Sequence, residues 1–219
     1  YTNSNDIISY NNQELYSKMG SYYNGTKGCE PAAIAEGETF NCIKIDFTTT
    51  GLKNDNTRNA IENVAWNLGG TASYRFSSNG LASHWYGYER GTTVYSGRPT
   101  TWTGKIGLMY PSDYGYATSG GQTSDRATCL ANALYNWDDS SISDCTSNDY
   151  LFKSGYYQWT LASDSSSATY VFYVDPNDSV YPVAADSNIG VRPALFLKSS
   201  ISIIGGTGSS TEPYQLKVN

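Results

Sequence analysis

Hydrophobic positions are densest in the last third of the chain, residues 156–200, where their spacing predicts a small sheet. Residues 159–162 begin a strand, and residues 169–174 alternate aromatic and aliphatic side chains without a charge. The sequence Asp-Pro-Asn-Asp at 175–178 predicts a turn, because proline presets the backbone at its second position while Asp and Asn offer side-chain acceptors. Residues 179–184 then return as the next strand.

Residues 189–198 form the most apolar run of the chain, broken only by Arg192 and the proline after it. Because residues 194–197 show little polar alternation, they predict a central strand that is buried on both faces. An arginine in such a strand needs a carboxylate or several carbonyls as partners. We therefore assign Arg192 a structural role and expect Asp113 to pair with it. The alternative is that Arg192 binds an anion.

Two segments in the first third have helical spacing. Leu15, Met19 and Tyr22 fall at i, i+4 and i+7, on one face of a helix. The second segment, residues 59–69, begins with a capping box and ends at Gly69, which is a good helix stop. Its apolar positions keep the same period: Ala60, Ile61, Val64, Ala65 and Leu68.

The other segments are short and irregular. We expect brief strands at 42–47, 104–110 and 214–218, one or two helical turns at 128–135, and loops at 70–101 and 111–121. No internal repeat or charged linker divides the chain, so we expect one domain, residues 1–219. Early helices followed by short strands with long loops predict an α+β fold.

Composition and charge narrow the function classes. Charged residues are only 16%, the net charge is −6, and Tyr contributes 20 of 219 residues. Nucleic acid is disfavoured as a partner because its binding requires neutralisation of phosphates. No apolar run reaches the roughly 20 residues that span a bilayer. Abundant Tyr, Ser, Gly and Asn are typical of binding surfaces, although Tyr also simply favours strands.

Four cysteines indicate disulfides and an extracellular setting. Three pairings are possible, and we favour the local one, Cys29 with Cys42 and Cys129 with Cys145, which closes two short loops. No CxxC spacing occurs and His84 is the single histidine, so zinc is not indicated. Because the chain starts at Tyr1, we expect a processed product or a part of a longer precursor.

Three ordered motifs carry a resemblance to a known family. They are WTLAS at 159–163, YVFYV at 170–174 and GVRPALFL at 190–197. In this order they resemble the C-terminal half of the C-type-lectin-like fold as built in relatives of the formylglycine-generating enzyme. The nearest version is found in bacterial surface and pilin-like proteins, and the resemblance covers residues 15–216. It implies two helices, a twisted antiparallel sheet and a displayed loop face.

The resemblance also implies a ligand-binding region around the last hairpin. Some relatives are variable proteins of diversity-generating retroelements, in which residues of this region are diversified. Carried over by position, the candidate ligand-binding residues are Asp164, Ser165, Ser166, Ser167, Asp175, Asn177, Asp178, Tyr181, Asp186, Ser187 and Asn188. The alternative is that these residues form ordinary solvated turns. Trp159 is assigned to the core.

Enzymatic and metal chemistry receive less support. The formylglycine-generating relatives use paired cysteines that bind copper, and the GVRP region here has none. His84 lies beside aromatic residues and without a GxSxG motif, which indicates a structural histidine. Calcium would need several oxygen ligands, and only the acidic stretches 136–139 and 186–188 suggest any. We expect no catalytic residues, no cofactor and no bound metal, with calcium as the alternative.

These observations predict an extracellular, non-enzymatic display domain of a bacterial surface or pilus protein. Its partner would be a glycan or a protein on another cell, and this segment would contact neither nucleic acid nor membrane. One alternative is a pilin-type subunit that packs against identical copies through residues 1–23. The weakest alternative is an enzyme that acts on polysaccharide.

Overall fold

The computed structural model describes residues 59–75, 78–119, 126–137, 145, 151–152, 155–185, 187, 189–209 and 211–218. The helix predicted around Leu15, the strand predicted at 42–47 and the pair Cys29 and Cys42 lie outside these residues. Within the described part, no helix is long and apolar enough to cross a bilayer.

The described elements are mostly short strands, and the three helices lie between the first and the fourth strand. In chain order they are β1 (Val64–Asn67), α1 (Ala82–Glu89), β2 (Thr101–Gly104), β3 (Ile106–Leu108), α2 (Pro111–Tyr116), α3 (Arg126–Leu130), a 3-10 turn (Leu134–Asn136), β4 (Gln158–Ser163), β5 (Tyr170–Val174), β6 (Val180–Ala184), β7 (Pro193–Leu195), β8 (Ile201–Gly205) and β9 (Gln215–Val218). Helices combined with antiparallel sheets confirm the predicted α+β class.

The largest described sheet is the predicted C-terminal one, with strand order β4-β5-β6 and antiparallel pairing throughout. The turn at 175–178 joins β5 to β6 as expected. The Asp175 carboxylate accepts hydrogen bonds from the backbone N–H groups of Asn177 and Ser179, both at 2.9 Å. Asp178 has a φ of 81°, a conformation that Asp and Asn tolerate better than most residues. The hairpin is therefore held by its own side chains.

Both faces of this sheet are covered. Because strand side chains alternate, Trp159, Leu161 and Val171 fall on one face and pack with Trp66 and the β3 residues in one apolar cluster. Phe172, Val174 and Val180 fall on the other face and pack with residues of the three helices in a second cluster. Trp159 is 1% exposed, so its predicted place in the core is confirmed.

The remaining strands pair in three two-stranded antiparallel sheets: β1 with β2, β3 with β7, and β8 with β9. The β4 strand continues toward β3, since the Leu161 N–H donates to the Met109 carbonyl at 2.9 Å. The strands predicted near 104–110 and 214–218 are confirmed by β3 and β9. The helical turns predicted at 128–135 are confirmed by α3 and the 3-10 turn.

The helix predicted at 59–69 is wrong over most of its length. Within residues 59–69, only Asn59 and Ala60 are helical, and Val64–Asn67 is the strand β1, paired with β2. Trp66 is 2% exposed while Ala65 is exposed, which is a strand's alternation. Packing of the Trp66 ring in the core therefore overrides the helical period. Gly69 does not end a helix, since it follows this strand.

The predicted central strand at 189–198 is also wrong. Only Pro193–Leu195 is a strand, and among the described strands it pairs with β3 alone. The end of this strand and the residues after it are not buried on both faces, because Leu195, Phe196 and Leu197 are 39%, 53% and 41% exposed. Proline at the start of β7 removes a backbone donor, as is usual for an edge strand.

Two helices lie where loops are predicted. In α1 the buried residues Ala82, Trp85 and Glu89 fall at i, i+3 and i+7, a helical spacing that glycine and aromatic neighbours obscure. In α2 the first residue is Pro111, and the Asp113 carboxylate accepts from the Tyr110 N–H at 3.0 Å. This is the start signal of a helix, and it overrides the loop-like composition of the segment.

One predicted disulfide is present. Cys129 and Cys145 are bonded, 16 residues apart in sequence, and both are fully buried in the helical cluster. The bond ties α3 to a segment beyond the 3-10 turn.

We expect that replacing both Cys129 and Cys145 with alanine lowers the free energy of unfolding by about 3 kcal/mol, because the unfolded chain regains the entropy of a 16-residue loop. Thermal melts of this variant and of the native protein in non-reducing buffer measure the difference. Equal melting temperatures would contradict a stabilising role for this disulfide.

Candidate functional site

Tyrosines from five segments line up across and beyond the β4-β5-β6 sheet. Ring centroids are 5.7 Å apart for Tyr157 and Tyr173, 6.5 Å for Tyr173 and Tyr181, 4.7 Å for Tyr181 and Tyr135, and 5.5 Å for Tyr135 and Tyr74. Each of these distances lies within the range of interacting aromatic pairs. We call these five residues the tyrosine row.

The strand register builds the row. Tyr173 of β5 lies directly opposite Tyr181 of β6 and, on its other side, opposite Trp159 of β4. The three rings therefore occupy one face of the sheet. Tyr157 immediately precedes β4, and Tyr135 comes from the 3-10 turn that packs beside β6.

The row runs from solvent into the protein. Tyr157 is 47% exposed, Tyr173, Tyr181 and Tyr135 are half-buried, and Tyr74 is buried. Burial raises the pKa of Tyr173, with the nearby Asp175 carboxylate and Tyr157 as smaller causes. The Tyr173 hydroxyl therefore stays protonated at neutral pH and can donate a hydrogen bond.

An exposed arginine, Arg75, packs against the inner end of the row. The Arg75 guanidinium lies 5.5 Å from the ring centroids of both Tyr74 and Tyr135. Its Nε donates to the Tyr74 hydroxyl at 3.2 Å, which raises the pKa of Arg75. This end of the row therefore carries a positive charge.

A shallow, open pocket of about 170 Å³ adjoins the exposed end. Its lining residues are Tyr156, Tyr157, Gln158, Gly190, Val191 and Arg192. Tyr156 is 60% exposed, and Tyr157 belongs to both the pocket and the row. Flat aromatic faces next to hydroxyl and guanidinium donors suit a ligand with alternating apolar and polar edges, such as a sugar ring or a peptide.

The predicted ligand residues in the connection between β4 and β5, residues 164–167, stabilise that connection itself. The Asp164 carboxylate is only 6% exposed and accepts from the N–H and the hydroxyl of Ser166, both at 2.7 Å. Ser165 is half-buried, and the Ser167 hydroxyl accepts from the Thr169 N–H at 3.2 Å. Of these residues, Ser166 is the exposed one.

The predicted ligand residues in the turn at 175–178, between β5 and β6, are also mostly buried in their own turn. Asp175 is 8% exposed, and Asp178 is fully buried, with its carbonyl accepting from the Tyr114 hydroxyl at 2.9 Å. Asn177 is exposed and Ser187 is half-buried, whereas Asp186 and Asn188 lie outside the described residues. Among the described candidates, Tyr181 is the one in the tyrosine row.

Sequence reasoning missed the other members of the row. The signal was available in part, because Tyr173 lies two residues before the turn at 175–178 and Tyr181 three residues after it, close enough to meet across a hairpin. Tyr135 and Tyr74 come from distant segments, so local pattern could not connect them with this face.

The expected pairing of Arg192 with Asp113 is wrong. Arg192 donates from Nη1 to the Leu151 carbonyl, so a backbone oxygen is its described partner. Asp113 instead caps α2 by accepting from the Tyr110 N–H. Asp113 starts a helix because a carboxylate near a helix N-terminus stabilises the free N–H groups there.

A buried carboxylate connects α1 to α2. Glu89 is fully buried and accepts from the Ser112 N–H at 2.8 Å and from the Ser112 hydroxyl. Arg90 Nη1 lies 3.2 Å from Glu89 Oε2, the same oxygen that accepts from the Ser112 hydroxyl. Burial raises the pKa of Glu89 to about 8, and the Ser112 hydrogen bonds oppose this shift. The hydrogen bonds of Glu89 to Ser112 join the two helices. Because Glu89 has no access to solvent, it offers no contact to a ligand.

His84 and the acidic residues form no described catalytic or metal centre. His84 lies in the first turn of α1, where Nδ1 accepts from the Leu81 N–H at 3.4 Å. In the part of the chain that the structure describes, no three His, Cys, Asp or Glu residues come together as a metal site would require.

Comparison with known proteins adds no relative. No family model matches the sequence, and neither the curated proteins nor the solved structures include a match.

Proposed function

We propose that this chain is an extracellular, non-enzymatic display domain of C-type-lectin-like architecture, carried by a bacterial surface or pilus protein. Its ligand is a glycan or a protein on another cell. The observation that carries this proposal is the tyrosine row, which leads from the exposed Tyr157 and its pocket across the C-terminal hairpin. Rigid aromatic side chains give contact area at a low cost in conformational entropy.

The surrounding structure suits such a role. The sheet beneath the row is covered on both faces, and the disulfide pins the adjacent helical cluster. A rigid support lowers the entropy lost when a ligand binds. The Asp164 carboxylate holds the exposed Ser166 in the connection before β5, and the Asp175 carboxylate holds the exposed Asn177 in the turn after β5.

We expect Tyr157→Ala to weaken binding at least about tenfold, because an exposed aromatic anchor at a pocket contributes strongly to affinity. A glycan array and a panel of bacterial and host surface proteins identify the ligand, and calorimetry with that ligand measures the affinity. Tyr86→Ala is the matched control, since Tyr86 is 50% exposed on α1 and outside the row. It should leave affinity unchanged.

Neither substitution should move the melting temperature by more than about 2 °C, because both side chains are about half exposed and substitutions at the surface change stability little. Equal affinities of the two variants would contradict a binding role for the row. Release of reducing sugar from a glycan that binds would contradict a non-enzymatic function.

A filament subunit is the second candidate function. Exposed Leu, Ile and Phe side chains near the C-terminus favour it, since exposed apolar residues that cluster often mark protein contacts. Electron microscopy of the native material distinguishes the two. A helical polymer of this chain would support the filament, and single detached domains would support display alone.

A further inference from the structure

Arg192 has hydrogen-bond donors that the described fold does not use. In the part of the chain that the structure describes, its Nη1 donates to the Leu151 carbonyl, and no carboxylate lies within ion-pair distance of it. Its Nε–H and Nη2–H groups have no described acceptor, and they form the edge of a guanidinium that binds a carboxylate through two parallel hydrogen bonds. Because Arg192 is half-buried, such bonds would form in a partly desolvated place, where they are stronger than in water.

Contacts on both sides hold Arg192 in place. Leu151 packs against the helical cluster, so its carbonyl is a fixed acceptor for the guanidinium. Two residues before Arg192, the chain is bonded to the start of β4. The Gly190 N–H donates to the Tyr157 carbonyl at 3.0 Å, and the Trp159 N–H donates to the Gly190 carbonyl at 2.9 Å. A side chain that is already held in this way loses little entropy when a ligand binds.

The pocket beside the tyrosine row combines this cation with two aromatic rings. Arg192 lines it together with Tyr156 and Tyr157, which are 60% and 47% exposed. None of the lining residues is acidic, although the chain as a whole has a net charge of −6. The one charge that the lining carries is therefore positive. An aromatic ring suits the apolar side of a sugar, and the guanidinium suits an acidic group on that sugar.

The backbone at the pocket favours a sugar over a peptide. Extended peptides commonly bind by adding a strand to a free sheet edge. The start of β4 has no such edge, because Gln158 pairs with Val174 on one side and forms a bridge with Gly190 on the other. Recognition is therefore left to side chains. The pocket of about 170 Å³ is also smaller than the roughly 300–1,000 Å³ of a drug-sized site, so it suits a single sugar unit.

We propose that this pocket binds a sugar unit that bears a carboxylate, a uronic acid or a sialic acid, with Arg192 on the carboxylate and Tyr157 against the ring. This inference rests on the proposed display function and narrows its ligand to an acidic glycan. A neutral sugar of the same shape keeps the contact with the ring of Tyr157 but leaves the guanidinium without its partner.

A glycan array that presents each uronic-acid and sialic-acid glycan beside its carboxyl-reduced form tests the proposal. Reduction turns the carboxylate into a neutral hydroxymethyl group and leaves the rest of the glycan unchanged. The native full-length chain should bind the acidic form at least about tenfold more tightly than the reduced form, because charge-assisted hydrogen bonds are lost. Arg192→Gln should bind both forms with the weaker affinity.

Two further variants separate recognition from folding. Arg192→Lys keeps the charge and a donor for the Leu151 carbonyl but lacks two parallel N–H groups, so it should reduce the preference severalfold. Arg126→Gln is the matched control and should keep the full preference. Arg126 is an exposed arginine outside the pocket that also donates to backbone carbonyls, those of Thr118 and Tyr116. Thermal melts check that each variant is folded.

Each other outcome overturns the proposal in its own way. Equal binding of acidic and reduced forms by the native chain, with both weakened by Tyr157→Ala, would overturn the acidic ligand and leave the display function standing. A preference for the acidic form that a folded Arg192→Gln or Arg192→Lys protein retains in full would place the carboxylate elsewhere. Binding to a surface protein and to no glycan would replace the sugar with a protein. Binding to neither would contradict the display function as well.

Discussion

Replacing Gly70 with alanine is expected to lower the free energy of unfolding by roughly 3 kcal/mol or more, because overpacking a rigid site forces the backbone apart. A Cβ at Gly70 would lie 1.9 Å from the Ser163 carbonyl oxygen, at the end of β4. A Cβ at Gly69 would lie 2.2 Å from the Tyr88 carbonyl oxygen, near the end of α1. Both obstacles are backbone atoms, which cannot rotate away.

Gly87→Ala is the matched control. A Cβ at Gly87 meets nothing within 4 Å, and the residue lies inside α1. Since alanine favours a helix over glycine by about 1 kcal/mol, this variant should be slightly more stable than the native protein. Chemical denaturation of the three proteins measures the differences. A Gly70→Ala protein as stable as the native one would contradict the close packing of this segment between α1 and β4.

The second large effect that we expect is a dependence of the free energy of unfolding on pH. Burial raises the pKa of Glu89 to about 8 from a usual value near 4.5, so folding favours the protonated carboxyl. This contribution to stability is fully present below about pH 4.5 and is lost as the pH rises through 8. The loss is on the order of 4 kcal/mol. The free energy of unfolding should therefore fall as the pH rises from 5 to 9.

Glu89→Gln should remove most of this slope, because an uncharged amide can still accept from the Ser112 N–H without the cost of burying a charge. Glu212→Gln is the control, since Glu212 is exposed near the C-terminus. Urea denaturation at several pH values measures the slope. A Glu89→Gln protein whose stability falls with pH as steeply as that of the native protein would show that another group is responsible.

The β4-β5-β6 sheet could be predicted because several local signals agree. Alternation in 169–174, a proline turn at 175–178 and a matching return all specify the same hairpin. Residues 59–69 show the opposite case, since Val64, Trp66 and Leu68 fit a strand while the wider set of apolar residues fits a helix. Pairing with β2 decides between the two, and local pattern does not contain it.

The candidate site was predictable only in part. Asp164, Asp175 and Asp178 are predicted ligand contacts because the resemblance places its binding region around the last hairpin, but turn aspartates often accept hydrogen bonds from their own backbone. The structure shows this use at Asp164 and Asp175. The tyrosine row depends on strand register and on a contact between β6 and the distant Tyr135, which the sequence does not display.

The most direct test of the proposed binding role is a titration with the array-selected ligand, followed through the ring signals of ¹³C-labelled tyrosines by nuclear magnetic resonance. We expect the largest shifts at Tyr157, Tyr173 and Tyr181 and small shifts at Tyr86. Shifts confined to tyrosines outside the row, such as Tyr116 or Tyr214, would contradict the account.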